Sequence, residues 1–220
     1  MSSAAIQDYE KAIYTLEERA DEGVVTTTAL AERLDVTPGS VSGMLRRLHA
    51  DGLVAHEPYR GVRLTPAGRR VALEVIRHHR LIELFLAEVL DMPWDRVHAE
   101  AEVLEHVLSE ELEGLIAEKL GHPTCDPHGD PIPTAELTVP EARRGVPLES
   151  LEPGATGRFL RVSDADPAML RWLADREVRP GDDIAVLDKQ PFDGPLTVRV
   201  GESVHVLGGG VAAAMRIEVH

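Results

Sequence analysis

Between Gly121 and Pro133 the chain reads Gly-His-Pro-Thr-Cys-Asp-Pro-His-Gly-Asp-Pro-Ile-Pro, with prolines at 123, 127, 131 and 133. Proline lacks an amide hydrogen and fixes φ, so no helix or central strand survives that spacing. The segment divides the chain into parts that fold by different rules. Before it, apolar residues recur at helical spacing. After it, short β-branched runs such as Asp183–Leu187 and Leu196–Val200 alternate with Pro153-Gly154, Pro180-Gly181, Asp193-Gly194 and the glycines at 208 to 210. The expectation is an α+β multidomain chain, and 220 residues suffice for two or three small cores.

In the first part, Ile6, Tyr9, Ile13 and Leu16 mark a helix ended by Asp21-Glu22-Gly23. Two short helices follow, Thr26–Leu34 and Ser40–Leu48, around Asp35-Val-Thr-Pro-Gly39, with apolar contacts from Leu30, Leu34, Val41, Leu45 and Leu48. Residues 53 to 65 then read as two strands about a turn at Arg60-Gly61. Helix, helix and basic hairpin form a winged helix-turn-helix; a generic helical hairpin is the blander alternative. The formal charge is −15, which argues against general nucleic-acid binding. Residues 37 to 70 nevertheless hold six arginines against Asp51 and Glu57, an excess of +4. A basic island in an acidic chain points to one confined polyanion contact. Thr27, Thr37, Ser40 and Ser42 are the candidates to meet DNA bases or backbone, and Arg46, Arg47 and Arg60 to meet phosphates. Gly43 removes a side chain from the recognition helix, which leaves more of the readout to DNA shape.

Thr65-Pro66 caps a long helix to about Leu90 that carries His78, His79 and Glu83. A second helix is expected from Asp95 to about Leu120. On it, at about 100° per residue, His98, Glu102, Glu105 and His106 share an arc of roughly 100° flanked by apolar rows. Covered carboxylates repel unless a cation lies between them, so the strip suits a divalent metal; a solvated acidic face is the alternative. Likewise, His79 and Glu83 alone are an ordinary surface pair. Cys125 and His128 in the Pro-rich segment are further candidate ligands. The single cysteine permits no intrachain disulfide, no apolar run approaches 18 residues and no signal sequence is evident. A cytoplasmic protein without a membrane span is expected.

Several local sequences resemble one family across nearly the whole chain: Tyr9–Glu18 (YEKAIYTLEE), Leu30-Ala-Glu-Arg-Leu34, Asp51-Gly-Leu-Val54, Leu64-Thr-Pro-Ala-Gly68, Glu105-His106 and the linker Cys125–Pro133 (CDPHGDPIP). The chain resembles the diphtheria-toxin-repressor family of metal-activated transcriptional repressors, in its manganese-sensing branch with a C-terminal SH3-like domain. The resemblance implies a winged helix-turn-helix over 1–70, a helical dimerisation and metal-binding domain with its linker over 71–140, and an SH3-like (FeoA-like) β barrel over 141–220. It implies a homodimer that binds a palindromic double-stranded DNA operator of metal-homeostasis genes when loaded. The family's primary metal site falls on Asp8, Glu102, Glu105 and His106, and His79, Glu83 and His98 fall on the neighbouring second site. In some barrel-bearing members a linker Cys and His and a barrel carboxylate join the second site, which here points to Cys125, His128 and Asp164 or Asp166. Iron-responsive members carry Met at the place of Asp8 and Cys at that of Glu102. The oxygen donors here suit Mn²⁺, with Fe²⁺ also accepted and Co²⁺, Ni²⁺ or Zn²⁺ as ions that bind in vitro. Lys11 stands where the barrel-less manganese sensors have a second carboxylate, and Asp126 is an extra residue between Cys125 and Pro127-His128. Two other function classes stay open: a winged-helix regulator that answers a small molecule or a redox signal at Cys125, and a metal-dependent hydrolase or ferritin-like oxidase. No Ser or Cys nucleophile with a paired base is evident, so an enzyme is not expected.

Overall fold

The computed structural model describes residues 3–18, 23–57, 61–140, 145–192 and 194–220. The chain divides into two units, Met1–His78 with Glu105–Leu108 and Pro133–Thr138, and His79–Leu104 with Ser109–Ile132 and Val139–His220.

In the first unit, α1 (Ala4–Glu17) turns Ile6, Tyr9, Ala12 and Ile13 inward. The Thr26 hydroxyl accepts a hydrogen bond from the Ala29 amide at 3.1 Å and so starts α2 (Thr27–Leu34). Asp35 ends it in the left-handed region, at φ 52°. Thr37 caps α3 (Pro38–Ala50) in the same way, with Pro38 in the first turn. Leu30, Val41, Leu45 and Leu48 are wholly buried where these helices meet, and each such leucine contributes roughly 1.5–3 kcal/mol. The strands β1 (Val54–Glu57) and β2 (Gly61–Leu64) pair antiparallel, and Val25 bridges Val62 on the other side of β2. This is a winged helix-turn-helix. Residues 58–60 of the wing, Arg60 among them, lie outside the described residues.

The long helix α4 (Pro66–Leu90) begins as its sequence predicts, with the Thr65 hydroxyl accepting from the Gly68 amide. Gly68 is required there: a Cβ would stand 2.1 Å from the Leu53 carbonyl oxygen. The expected single helix from Asp95 to Leu120 is instead two, α5 (Trp94–Leu104) and α6 (Glu110–Lys119), separated by a turn at residues 105–107. The cause is local. The Ser109 hydroxyl accepts from the Leu112 amide, and Glu110, Glu111 and Glu113 place negative charge in the first turn, where the helix dipole favours it. Glu105 and His106 are therefore turn residues.

The C-terminal part of the second unit is a six-stranded antiparallel sheet. Its elements are β3 (Val146–Pro147), β4 (Thr156–Val162), α7 (Pro167–Ala174), β5 (Asp183–Lys189), β6 (Leu196–Val200), β7 (Ser203–Leu207), α8 (Gly209–Ala214) and β8 (Met215–Val219). The strand order is β3-β8-β4-β5-β6-β7, with bulges in β4 and β5 that curl it around Phe159, Val162, Ile184, Val198, Leu207 and Ile217. The glycines at 208 to 210, expected as a turn, open α8 because Val211-Ala-Ala-Ala214 favours helix and Ala212 is buried.

One buried residue of α1 breaks the apolar pattern. Glu10 has no exposure, and neither carboxylate oxygen has a hydrogen-bond partner among the described residues. Burial pushes its pKa up to about 8. The folded state then binds a proton that the unfolded chain releases near pH 4.5, so this residue's contribution to stability is intact below pH 4.5 and falls as pH rises to about 8. Urea unfolding of Glu10→Leu against the native chain is expected to show a difference that grows over that interval. At pH 8 the variant should be more stable by roughly 2–4 kcal/mol, at about 1.4 kcal/mol per pH unit between the two pKa values.

Candidate metal centre

In the first unit, α1 and the 105–107 turn build one donor set. Asp8 Oδ1 lies 2.9 Å from His106 Nε2, and Glu105 Oε1 lies 3.6 Å from the same nitrogen. His106 Nδ1 donates to Gln7 Oε1 at 2.8 Å. That bond leaves Nε2 as the ring nitrogen that faces Asp8 and Glu105. Glu105 is buried and receives both bonds of the Lys11 ammonium, at 2.7 and 3.0 Å. His78 Nδ1 donates to the Glu105 carbonyl at 3.1 Å, which ties the turn to α4. Asp8, Glu105 and His106 each present a donor atom within 4.8 Å of the others.

The second unit holds another set around Glu83 of α4. His79 Nε2 is 2.9 Å and His98 Nδ1 3.2 Å from Glu83 Oε1, and the two nitrogens are 3.1 Å apart. Asp164, in the turn after β4, reaches His98 Nδ1 at 3.1 Å. Glu102 Oε1 lies 3.7 Å from His98 Nε2 and 3.9 Å from His79 Nδ1. His79 and Glu83 are one turn apart on α4, as His98 and Glu102 are on α5, so two helical i,i+4 pairs converge. His128 Nδ1 approaches from the linker, 3.6 Å from Glu83 Oε2.

The electrostatics are those of tightly packed opposite charges. Burial alone would raise Glu83, but hydrogen bonds from His128, His79 and His98 hold it well below the usual carboxylate range. The bonds of Asp164 and Glu83 push His98 up to about 10. Burial would lower His128, but Glu83 raises it to about 9. Burial would raise Asp164 too, but the His98 bond brings it to about 2. Burial and the Glu83 charge raise Asp126 to about 7. Mixed carboxylate and imidazole donors, buried and balanced by displaceable protons, fit a first-row divalent cation of intermediate hardness.

The structure thus brings together Asp8, Glu105 and His106 of the expected primary set, and His79, Glu83, His98 and Asp164 of the second, with Glu102 beside His98. Cys125 is exposed and lies outside every such donor group among the described residues. It lines a cleft of about 930 Å³ with Trp94, Arg158 and Arg179. The reason is the loop's internal bonding: Asp126 Oδ1 accepts from the amides of His128 and Asp130, which turns Asp126 inward. Asp126, Gln7 and Lys11 are the polar residues that sequence reasoning did not place in these sets. The Asp-Pro-His-Gly-Asp pattern carried the signal for Asp126, since Asp before such a turn bonds backbone amides two and four residues on.

The candidate DNA face is open. Thr37, Ser40, Ser42, Arg46 and Arg47 are exposed along α3, and Thr27 is half-buried at the start of α2. Thr37 and Ser40 hydroxyls share a 3.0 Å hydrogen bond, and the Ser42 hydroxyl donates to the Pro38 carbonyl.

The N-terminal DNA-binding domain of iron-dependent repressors matches residues 1–62, their metal-binding and dimerisation domain 65–134, and the FeoA domain 146–219. The iron-dependent repressor IdeR of Mycobacterium tuberculosis is 44% identical over 126 residues, 57% of this chain and 54% of that protein. The diphtheria toxin repressor of Corynebacterium diphtheriae is 33% identical over 221 residues, 96% of this chain and 95% of that protein. Among solved structures, a manganese-dependent transcriptional repressor in complex with manganese has a TM-score of 0.88 at 41% identity, covering 98% of this chain and 100% of its own. The T. acidophilum IdeR structure has a TM-score of 0.76 at 30% identity, covering all of both chains.

His128 owes its place to Gly129, which sits at φ +91° where a Cβ would come 1.9 Å from the Leu160 carbonyl oxygen. Gly129→Ala is expected to destabilise the second unit by about 1–3 kcal/mol, from overpacking and an unfavourable backbone angle together. Denaturant unfolding of the two proteins side by side measures it, and an unchanged midpoint would contradict the close approach.

Proposed function

Because the chain belongs to the diphtheria toxin repressor family of metal-dependent transcriptional repressors, we propose that it is a homodimeric repressor that closes on a palindromic operator when Mn²⁺ is bound, with Fe²⁺ as the second candidate activator. It acts in the cytoplasm, by DNA binding and not by catalysis. The observation that carries this reading is the Asp8–His106 contact at 2.9 Å, because it joins α1 of the winged helix to the 105–107 turn. Asp8, Glu102, Glu105 and His106 hold the activating ion; His79, Glu83, His98 and Asp164 form the ancillary site. A divalent cation would join the half-exposed Asp8 to His106 beside Glu105, whose own charge Lys11 already balances. Asp8 then restrains α1, whose Ile6, Tyr9 and Ile13 share one core with α2 and α3. The recognition helix is thereby biased toward its DNA-competent placement, a shift of an existing population. Oxygen donors at 8 and 102 favour Mn²⁺, and the manganese-complexed relative at 41% identity supports that choice.

Ser40, Ser42, Thr37 and Thr27 meet the operator, and Arg46, Arg47 and Arg60 its phosphates. Exposed Val103, Leu104, Leu112 and Leu115 on α5 and α6 supply an apolar surface for the second protomer.

Operator binding on genomic fragments in chelator, then with Mn²⁺, anaerobic Fe²⁺, Co²⁺ and Zn²⁺, tests the proposal. Mn²⁺ should tighten binding about 5- to 150-fold, a gain that Asp8→Ala abolishes. Binding indifferent to chelator would overturn it and favour a small-molecule or redox effector. In the same assay Arg46→Ala should weaken binding to all sequences alike and reduce the magnitude of the log–log salt slope by about 1.

A further inference from the structure

The cleft that Cys125 lines has one wall from the end of α4 and another from β4 and the Pro180-Gly181 turn. At about 930 Å³ it falls in the range of about 300–1,000 Å³ usual for small-molecule sites. Six charged residues line it, and two of them are already satisfied. Asp95 holds Arg171 at 2.9 Å, and Asp126 is turned inward onto the amides of His128 and Asp130. The other four, Glu88, Asp91, Arg158 and Arg179, are exposed and form no ion pair among the described residues, either with one another or with any other side chain.

Local electrostatics leave both walls in want of a partner. Glu88 lies in the last turn of α4 and Asp91 just beyond it, and that turn has no basic residue. The partial negative charge of a helix C-terminus disfavours carboxylates and favours a cation. On the other wall, Arg158 stands opposite Asp183 in the β4–β5 register yet makes no ion pair with it. Its Nε donates instead to the Gly181 carbonyl at 3.0 Å. Arg179 begins the same turn, with its amide on Asp182 Oδ2 at 2.7 Å. Two guanidiniums at one turn suit a carboxylate, which accepts two hydrogen bonds side by side. Leu84, Met92, Trp94 and Leu160, all half-buried, add apolar lining. The Trp94 indole is held rigid by its bond to the Leu170 carbonyl and its stacking on His128.

We propose that this cleft binds a small zwitterion whose amine and carboxylate are separated by an apolar body. The carboxylate is taken by Arg158 and Arg179, the ammonium by Glu88 and Asp91, and the body lies along Trp94 and Met92. One end is held by α4 and the other by the sheet, so occupancy ties the two together. The site is separate from the metal donor sets and does not depend on the metal-activated reading.

The test uses the full chain in chelator. Cys125 is its one cysteine and lines the cleft, so the rate of alkylation by iodoacetamide, followed by intact mass, reports occupancy. The probes are aminobutyrate, aminohexanoate and aminooctanoate, with hexylamine and hexanoate as controls that carry one charge each. At least one zwitterion should slow alkylation by about fivefold or more at a concentration where neither control does, because the second charge binds at the high effective concentration set by the first. Arg158→Gln with Arg179→Gln should abolish that protection, as should Glu88→Gln with Asp91→Asn. Both double variants should keep the native circular dichroism spectrum and the native alkylation rate without probe. Protection by hexanoate or hexylamine equal to that by the zwitterions would overturn the proposal. So would protection that survives both double variants, or no slowing by any probe.

Discussion

Two carboxylates, Glu83 and Glu105, are each 1% exposed, and an ionised carboxylate taken from water costs several kcal/mol unless it is paired. The chain meets this constraint in two ways. Glu105 is given a lysine, whose ammonium supplies charge but has no lone pair to bind a metal. Glu83 is given imidazoles, which neutralise it while protonated and, on the proposed function, would ligate once they give the proton up. The first arrangement has a built-in cation, whereas the second balances its charge with imidazole protons. On the proposed function, metal uptake around Glu83 would release protons and weaken as pH falls.

The distribution of charge follows the same economy. A net charge of −15 repels DNA at a distance, whereas residues 37 to 70, which include α3, carry an excess of +4. The exposed hydroxyls of α3 are short and partly engaged with their own helix, Thr37 with Ser40 and Ser42 with Pro38. Gly43 faces open space, with nothing within 4 Å of a Cβ placed there. Packing does not require this glycine, and its absence of a side chain is a feature of the surface alone.

Much of this was legible from local signals. Thr26 and Thr65 announced two helix starts, whereas Thr37, read as part of the connection before Ser40, caps α3 two residues earlier than expected; the i,i+4 spacing of His79 with Glu83 and of His98 with Glu102 survived into the structure. The single helix through Glu105 and His106 did not survive, although Ser109 followed by three acids within four residues carried the opposing signal. Apolar periodicity outweighed a cap in that reading; in the chain the cap wins because it satisfies amides the turn leaves open. Asp126 stood out in the sequence only as an extra linker residue, because its inward placement comes from loop bonding, which no periodicity reveals. Partners distant in sequence, such as Lys11 with Glu105 or His98 with Asp164, have no local signature at all.

The placement of Asp164 has a further consequence. The barrel that carries it is pinned by the Trp94 indole on the Leu170 carbonyl, by Arg171 on Asp95 and by the Val162 amide on the His128 carbonyl. Asp164 therefore meets His98 as a tethered partner, whose effective concentration is set by the span of the chain and not by diffusion. For the ion of the proposed ancillary site that carboxylate would already be in place, so much of the entropy of assembling a coordination shell is settled when the chain folds.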